Sequence, residues 1–354
     1  MRNGSAISGA TSSVYTINNT VAADATNYSV VVSGTCGTIT STAVGLTVNN
    51  PVTISAQPAS VAICSGTSTT LSVSASGTAL SYQWYQNGSA VGTSTSTFTT
   101  STAGTYYVVV SNSCGQVISS EAIVTVNTNT SIVTEPAAST TVCLGGSASF
   151  NVAASGTNLT YQWYKNGTAI GGATSSMYTV NNVVSGDAAS YTVVVSGTCG
   201  TVTSTAAVLS INTPVTITTQ PASTTVCSGA TATLGVVAGG TGITYQWYLY
   251  DDNTRTGSII PGAQAATYTT TTAGTYYVVV GGACGSVTSG NAVVTASANT
   301  AIVTSPVNAT ACTGTSASFS VTAVGTNLSY QWYAGTTTLT GATSSVLSLN
   351  NVTT

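Results

Sequence analysis

The tetrapeptide Tyr82-Gln83-Trp84-Tyr85 recurs three more times along this 354-residue chain, and its spacing predicts the architecture. The later copies begin at Tyr161, Tyr245 and Tyr330, so the four tryptophans lie 79, 84 and 85 residues apart. A period of that length is enough for one small domain with its own core. The sequence therefore predicts a tandem array of small domains, each built around one tryptophan.

The segments around each tryptophan follow a constant order and favour an all-β fold. Each repeat has a Pro and a Cys-x-Gly turn, an alternating strand, the Trp strand, a Tyr-Val-Val-Val strand, a Cys-Gly turn and a final strand. Val, Ile, Thr and Tyr dominate the periodic segments, Gly, Asn and Ser separate them, and no segment has an apolar period of about 3.6 residues. About seven short strands around a buried Trp are typical of an immunoglobulin-like (Ig-like) β-sandwich.

Several segments resemble the tandem bacterial Ig-like repeats of large cell-surface adhesins and filaments, of the Bacteroidota type exported by the type IX system. Asp187-Ala-Ala-Ser-Tyr191-Thr-Val193 is similar to the Asp-x-(Ala/Gly)-x-Tyr-x-Cys segment of Ig domains, in which the Tyr forms a corner at the start of strand F. Valine fills both positions of the inter-sheet disulfide of antibody domains, in the pairs Val73 and Val108, Val152 and Val193, and Val236 and Val278. The resemblance implies the Ig-like sandwich without its usual internal cross-link.

The repeat period divides the chain into five segments. These are a partial Ig-like domain (C-terminal half) at residues 1–50, Ig-like domains at residues 51–129, 130–212 and 213–297, and a partial domain (N-terminal half) at residues 298–354. They are called the first to fifth repeats below. The two partial repeats predict either a piece of a longer repeat protein or a filament protomer whose halves complete each other. A shared strand, Gly9-Ala-Thr-Ser-Ser-Val14 and Gly341-Ala-Thr-Ser-Ser-Val346, favours the first interpretation.

The eight cysteines fall into two regular classes. One class lies at the turn before strand B, and its members are Cys64, Cys143, Cys227 and Cys312. The other lies at the turn between strands F and G, and its members are Cys36, Cys114, Cys199 and Cys284. Strands B and F run in the same direction in an Ig sandwich, so the two turns lie at opposite ends of a domain. This separation exceeds the roughly 7 Å between Cα atoms that a disulfide allows.

Head-to-tail stacking would bring the two classes together at each junction. It predicts disulfides between Cys64 and Cys199 and between Cys143 and Cys284, with Cys36, Cys114, Cys312 and Cys227 pairing outside this chain or unresolved. The alternative is that the cysteines pair within domains of a different topology or stay free. An even number of cysteines without histidine partners favours disulfides and an oxidising, extracellular setting.

Composition excludes several functions. Three Lys and Arg residues, six Asp and Glu residues and no His give a net charge of −3, with only 3% of residues charged. A chain with so few cations has no basic surface for nucleic acid or for anionic lipid, and it has no uninterrupted apolar run near 18 residues for membrane insertion. Without His, and with Lys165 as the only lysine, no nucleophile and base can be assembled, so we expect no enzyme, no cofactor and no metal site.

One exposed aromatic series is a candidate binding surface. Tyr85, Tyr164, Tyr248 and Tyr333 each follow a core Trp and should point outward, where a tyrosine face can stack on the sugar rings of a surface polysaccharide. The alternative is that each tyrosine packs against a cross-strand neighbour on the same sheet.

These observations predict an extracellular, cell-surface structural fibre or adhesin stalk. Its partners would be adjoining repeats or copies of itself, arranged head to tail, and its inter-domain disulfides would stiffen it. The alternatives are a carbohydrate-binding or surface-binding Ig-like module, or a passive spacer in a secreted multidomain enzyme.

Overall fold

The computed structural model describes residues 1–354 and is all-β, with 50% of residues in strands and 2% in helices. The all-β, tandem Ig-like prediction is confirmed. By their internal contacts, the residues form two compact units, and each is described by itself. The first unit comprises Met1–Pro136, Asn151–Tyr178 and Tyr191–Ala206, and the second comprises Ala137–Phe150, Thr179–Ser190 and Ala207–Thr354.

The first and second repeats contain fourteen strands and one short 3₁₀ helix, Ala22–Asp24. The strands of the first repeat are β1 Asn27–Tyr28, β2 Val31–Gly34, β3 Gly37–Thr40 and β4 Val44–Gly45. Those of the second are β5 Thr53–Ala56, β6 Val61–Cys64, β7 Thr69–Ser72, β8 Ser74–Ser76, β9 Ser81–Gln86, β10 Ser89–Val91, β11 Thr97–Thr100, β12 Gly104–Asn112, β13 Gly115–Ile118 and β14 Ala122–Asn127.

The third repeat contains ten strands and a second 3₁₀ helix, Ser185–Asp187. Its strands are β15 Ser131–Thr134, β16 Ser139–Cys143, β17 Ala148–Asn151, β18 Ala153–Ser155, β19 Thr160–Lys165, β20 Thr168–Ala169, β21 Met177–Val180, β22 Ala189–Gly197, β23 Gly200–Thr203 and β24 Ala207–Asn212. No helix of the protein combines the length and the apolar character that crossing a bilayer requires.

The fourth and fifth repeats contain the remaining sixteen strands. Those of the fourth are β25 Thr216–Thr219, β26 Thr224–Cys227, β27 Ala232–Gly235, β28 Val237–Gly239, β29 Thr244–Asp251, β30 Thr256–Ile259, β31 Thr267–Thr270, β32 Gly274–Gly282, β33 Gly285–Thr288 and β34 Ala292–Ser297. Those of the fifth are β35 Ala301–Thr304, β36 Ala317–Ser320, β37 Thr322–Val324, β38 Tyr333–Ala334, β39 Thr337–Thr338 and β40 Val346–Leu349.

The second and fourth repeats have the same sheet topology. In the second, one sheet has the order β10-β9-β12-β14-β6, with β13 also paired to β12, and the other layer consists of the pairs β5–β8 and β7–β11. The fourth repeat has the corresponding order β30-β29-β32-β34-β26, with β33 on β32 and the pairs β25–β28 and β27–β31. The strand that ends in a cysteine, β6 or β26, runs parallel to the last strand of its own repeat. That cysteine therefore lies at the end of the repeat from which the chain leaves.

Alternation along the Tyr-Val-Val-Val strand builds the core. In β12, Tyr106, Val108 and Val110 are fully buried while their neighbours are partly exposed, as the two-residue period of a strand requires. Trp84, also fully buried, packs between the two layers and donates its indole N–H to the carbonyl of Thr95 at 3.0 Å. Each complete sandwich thus buries its largest side chain with its polar atom satisfied.

The first repeat presents its apolar strand to solvent. Val30 and Val32 occupy the positions of the buried Val108 and Val110, yet they are 50% and 58% exposed. An open cleft of about 780 Å³ is lined by Ile7, Tyr15, Val30, Leu46 and neighbouring residues. Within residues 1–50, strands β1 to β4 form only two-stranded pairs, so no second layer covers this face.

Candidate functional site at the junctions between repeats

Four cysteines begin the same four-residue turn, here called the Cys-x-Gly turn. In each, the cysteine carbonyl accepts a hydrogen bond from the backbone N–H three residues later, at distances of 2.9–3.0 Å. The third residue is a glycine with φ between +78° and +84°. A type II turn needs a positive φ at that position, which explains the glycine. The four turns are Cys64–Thr67, Cys143–Gly146, Cys227–Ala230 and Cys312–Thr315.

The other four cysteines lie in two-residue hairpin loops, here called Cys-Gly hairpins. Strand β12 pairs Asn112 with Gly115 across the loop Ser113-Cys114, and the other hairpins have the corresponding register. The cysteine is always the second loop residue, and the glycine after it has a φ between +100° and +138°. The hairpin cysteines are Cys36, Cys114, Cys199 and Cys284.

Two disulfides each join a Cys-x-Gly turn to the Cys-Gly hairpin of the following repeat. Cys64 is bonded to Cys199, with their Cα atoms 5.6 Å apart, and this bond lies within the first unit. Cys143 is bonded to Cys284, with Cα atoms 5.8 Å apart, and this bond lies within the second unit. Both separations fall in the ordinary range for a disulfide. The structure thus joins the residues that sequence analysis placed together.

The last strand of the preceding repeat ends beside each disulfide. Asn127 is in register with Cys64 on the parallel pair β6–β14, and its carbonyl oxygen lies 3.8 Å from the Cys199 sulfur. At the other junction, Asn212 is in register with Cys143, and its carbonyl oxygen lies 3.6 Å from the Cys284 sulfur. The disulfide therefore forms where the chain passes from one repeat to the next.

Hydrogen bonds also fix the short connections between repeats. A connection is the segment between the last strand of one repeat and the first strand of the next, such as residues 128–130 between β14 and β15. The N–H of Thr128 donates to Thr157 Oγ1 at 2.9 Å, and the N–H of Thr157 donates back to the Thr128 carbonyl. The amide of Asn129 donates to the carbonyl of Ser65, in the turn of the preceding repeat, at 3.1 Å. Because the connection is bonded to both repeats, it does not behave as a free tether.

Sequence analysis missed the threonines that anchor these connections. Thr78, Thr157, Thr241 and Thr326 all accept a hydrogen bond from a backbone N–H of the connection that precedes their own repeat. A signal for them is present, because each follows a glycine and lies six residues before the core Trp. At Gly156 a β-carbon would approach the Thr130 Cα to 3.1 Å, so the glycine allows the connection to pass close by.

The remaining four cysteines carry exposed thiols. They are Cys36, Cys114, Cys227 and Cys312. Two of them, Cys114 and Cys227, belong to complete sandwiches in the second and fourth repeats. The other two belong to the first and fifth repeats.

Two of the predicted surface tyrosines stack on a neighbouring strand. Tyr85 lies parallel to Tyr107 with ring centroids 4.9 Å apart, and Tyr248 lies on Tyr277 at 5.0 Å. The hydroxyl of Tyr277 lies over Gly257, where a β-carbon would come within 1.9 Å of it. Burial, and then the nearby Tyr248 and Tyr250, raise the pKa of Tyr277.

The other two predicted surface tyrosines lie in different surroundings. Tyr164 is half-buried and faces Thr192 across the strands, and Tyr333 is 57% exposed on the short strand β38. In the second and fourth repeats, by contrast, one face of each tyrosine is already covered by another ring. The four residues therefore do not form one uniform aromatic surface.

Three of the six acidic residues have local structural roles. Asp24 and Asp187 each accept a hydrogen bond from the backbone N–H three residues earlier, at 3.0 Å, and close a 3₁₀ turn. Asp251 lies at the β29–β30 hairpin, where the backbone N–H of Asn253 lowers the pKa of its carboxyl. No group of three or more His, Cys, Asp or Glu side chains is placed to hold a metal ion.

Comparison with known proteins places these domains. The family described as "Ig-like domain, CHU_C associated" matches residues 51–129 and 214–299. A search of curated proteins found no match. Among solved structures, an I-band fragment from titin is similar with a TM-score of 0.53 and 18% identity, covering 70% of this chain and 98% of the fragment. An E-to-A variant of the same titin region is similar with a TM-score of 0.54 and 18% identity, covering 70% of this chain and 99% of the variant.

The likeness to titin concerns the fold alone, since the sequences are only 18% identical. The family match is more specific, and it falls on the two complete repeats that share a Pro-Val-Thr-Ile opening. Residues 51–129 and 214–299 are therefore CHU_C-associated Ig-like domains of the Bacteroidota type, and the chain is a tandem array of Ig-like domains.

Proposed function

We propose that this chain is a segment of an extracellular fibre or adhesin stalk whose consecutive Ig-like domains are cross-linked by disulfides. The observation that carries the proposal is the pair of bonds at the junctions, Cys64 to Cys199 and Cys143 to Cys284. A tandem Ig array held together only by peptide linkers bends at each linker. A second covalent connection at the same junction removes most of that freedom.

The order of the cysteines along the chain adds resistance to extension. Cys143 lies inside the loop closed by Cys64 and Cys199, and Cys199 lies inside the loop closed by Cys143 and Cys284, so the two bonds interleave. Each loop spans 135 or 141 residues, and unfolding a domain within such a loop releases little length to a pulling force. The pulling force would pass through the disulfides, so the sandwiches inside the loops would add little to the extension of the chain.

The composition suits an exposed structural role. A surface of hydroxyl and amide groups with 3% charged residues offers little for electrostatic recognition. Cross-strand hydroxyl pairs such as Thr70 with Thr99 and Ser149 with Thr179 hydrogen-bond to each other at 2.8 and 2.9 Å. Structural disulfides persist in oxidising compartments, which supports an extracellular, cell-surface location.

Single-molecule pulling from the two chain ends tests the proposal. An extended residue spans about 3.6 Å, so closing a loop of 135 residues hides roughly 49 nm of contour length. The oxidised protein should therefore extend much less than the reduced protein before it becomes fully stretched. Because the loops overlap, the combined loss is smaller than twice that value. Equal contour lengths before and after reduction would contradict the stalk mechanism and favour a flexible spacer or a string of binding modules.

A further inference from the structure

The thiols of Cys114 and Cys227 are exposed on complete sandwiches, although their equivalents in neighbouring repeats are bonded. The mechanism proposed above does not use either of them. Their surroundings can be compared with those of the bonded cysteines in the same structure, and this internal comparison shows what each thiol is built to accept.

Cys114 has the environment of a bonded hairpin cysteine. Its thiol lies 3.3 Å from the carbonyl oxygen of Asn49, near the end of the preceding repeat. Cys199 and Cys284 lie 3.8 and 3.6 Å from the carbonyl oxygens of Asn127 and Asn212, which are the equivalent residues. The hairpin register is also the same. The Cys114 sulfur thus stands where a Cys-x-Gly turn would meet it.

Cys227 has the environment of a bonded turn cysteine. It is in register with Ser297 at the end of its repeat, as Cys64 is with Asn127. The N–H of Ser228 donates to the Ser297 carbonyl at 2.8 Å, and the amide of Asn299 donates to the Ser228 carbonyl at 3.1 Å. The Cys64 junction contains the same two hydrogen bonds, at 2.9 and 3.1 Å. The Cys227 junction is therefore complete except for a hairpin cysteine.

We propose that Cys114 and Cys227 are complementary covalent docking sites, each of which forms a disulfide only with a cysteine of the other class on a further Ig-like repeat. Cys227 takes a Cys-Gly hairpin, and Cys114 takes a Cys-x-Gly turn. Cys36 and Cys312, in the partial repeats, carry the same hairpin and the same turn and follow the same rule. The partner is a repeat that presents a cysteine of the opposite class, either in a second copy of this chain or in further repeats joined to it. This inference rests on the proposed stalk function, which it extends to a directional, head-to-tail assembly.

The bond forms by thiol–disulfide exchange with a disulfide oxidant such as oxidised glutathione. The Cys227 thiolate attacks one sulfur of the oxidant and releases one thiolate, which leaves a mixed disulfide on Cys227. The thiolate of the incoming hairpin cysteine then attacks the Cys227 sulfur and releases the second thiolate. Two protein thiols are oxidised to one disulfide, the oxidant is reduced to two thiols, and the two protons pass from the cysteines to the released thiolates.

Two matched variants of the full chain test the rule. Cys227→Ser/Cys312→Ser keeps only the unpaired hairpin cysteines, and Cys36→Ser/Cys114→Ser keeps only the unpaired turn cysteines. Each is incubated with reduced and oxidised glutathione, alone and mixed, and is then run on a non-reducing gel. We expect each variant alone to stay monomeric and the mixture to give a disulfide-linked heterodimer. The unmodified chain should form a ladder of species that reduction collapses to the monomer.

Three results would overturn the proposal: homodimers of either variant, bonds within one class in the peptide map, or no heterodimer in the mixture. The same peptide map reports whether Cys64–Cys199 and Cys143–Cys284 are intact. If those bonds are present and the heterodimer is absent, the docking rule fails while the stalk proposal stands. If those two bonds are themselves absent, the stalk proposal fails.

The source of the natural partner is read from protein isolated under non-reducing conditions. A Cys227 disulfide contained within one polypeptide assigns the partner to further repeats of the same chain. A disulfide whose reduction separates two polypeptides assigns it to a second copy. Both results support the rule, provided that the bond joins opposite classes.

Discussion

The sulfur atoms of Cys64 and Cys199 are bonded although 135 residues separate the two cysteines along the chain. This bond joins two domains, whereas the disulfide of an antibody domain joins the two sheets of one domain. Valines occupy those inter-sheet positions here. Val73 and Val108 fill that space and are almost completely buried. The sandwich is therefore held by packing, and the cysteines are free to connect one sandwich to the next.

Removing the junction disulfides should lower stability. A disulfide that closes a loop of more than 100 residues contributes about 2–4 kcal/mol in typical cases. Cys64→Ser/Cys143→Ser removes both bonds. We expect it to lower the free energy of unfolding by the sum of two such contributions, roughly 4–8 kcal/mol, measured by urea denaturation under oxidising conditions. Cys114→Ser/Cys227→Ser is the matched control, since it removes no bond from the monomer, and it should change stability by less than about 0.5 kcal/mol. Equal losses in both variants would show that the bonds do not stabilise the fold.

A side chain at the glycine of the Cys-x-Gly turn should destabilise the fold. Gly66 has a φ of +84°, and a β-carbon there would meet no atom within 4 Å, so any cost of Gly66→Ala comes from the backbone alone. A left-handed conformation costs a non-glycine residue roughly 1–2 kcal/mol. We expect a loss of about that size in the free energy of unfolding, together with slower formation of the Cys64–Cys199 bond. Gly171→Ala is the control, because that glycine has open space and no positive φ. A neutral Gly66→Ala would mean that the turn is not held as described.

The fold could be predicted from the sequence because its determining residues repeat at a fixed period. Trp84, the alternation of Tyr106, Val108 and Val110, and the absence of a helical period all predict a sandwich. The pairing of the cysteines was predicted from the shared direction of strands B and F, which is a property of the fold. A peptide map tests this pairing in the protein. What could not be predicted depends on distances between segments far apart in the chain. The anchor from Thr157 to the connection at Thr128 is of this kind.

The surroundings of the predicted surface tyrosines also depend on contacts between strands that the sequence does not determine. Alternation places Tyr85 on the outer face of β9, and the sequence leaves open whether it binds sugar or packs on a neighbour. The register between β9 and β12 sets Tyr107 opposite to it, and the two rings stack. In the third repeat, a threonine stands at the corresponding position and no such ring faces Tyr164. A one-residue difference in the facing strand thus decides the environment of the residue.

The tyrosine corner should carry a measurable share of each sandwich's stability. The buried Tyr106 hydroxyl donates to the Thr102 carbonyl at 2.9 Å and lies 2.9 Å from Thr100 Oγ1. Tyr106→Phe removes the hydroxyl donor to the Thr102 carbonyl, while Thr100 Oγ1 keeps the backbone N–H of Thr102 as a partner at 3.1 Å. The lost hydrogen bond should cost about 1–3 kcal/mol in the free energy of unfolding. Tyr85→Phe, at a half-exposed ring, is the control and should be nearly neutral. Similar effects for both variants would contradict a specific role for the corner.

Stability should fall in alkaline solution partly through Tyr277. Burial and the neighbouring Tyr248 and Tyr250 raise the pKa of this phenol above its usual value of 10.0, so the folded state holds the proton more tightly than the unfolded chain does. The contribution of a group with a raised pKa is fully present below the unfolded pKa and is lost as the pH rises through the folded pKa. We therefore expect the urea midpoint to fall above about pH 10 and to fall less in Tyr277→Phe, which has no phenol to ionise.

A second measurement separates this residue from the other tyrosines. The phenolate absorbs near the red edge of the tyrosine band, so an absorbance titration of the folded protein reports each ionisation, and Tyr277→Phe should remove a late-titrating component. Tyr85→Phe is the matched control, because its pair with Tyr107 lacks the third ring that Tyr250 supplies at 6.4 Å from Tyr277. If the two variants shift the alkaline loss of stability equally, the cluster around Tyr277 does not set it. The alkaline limit would then belong to the tyrosines as a class.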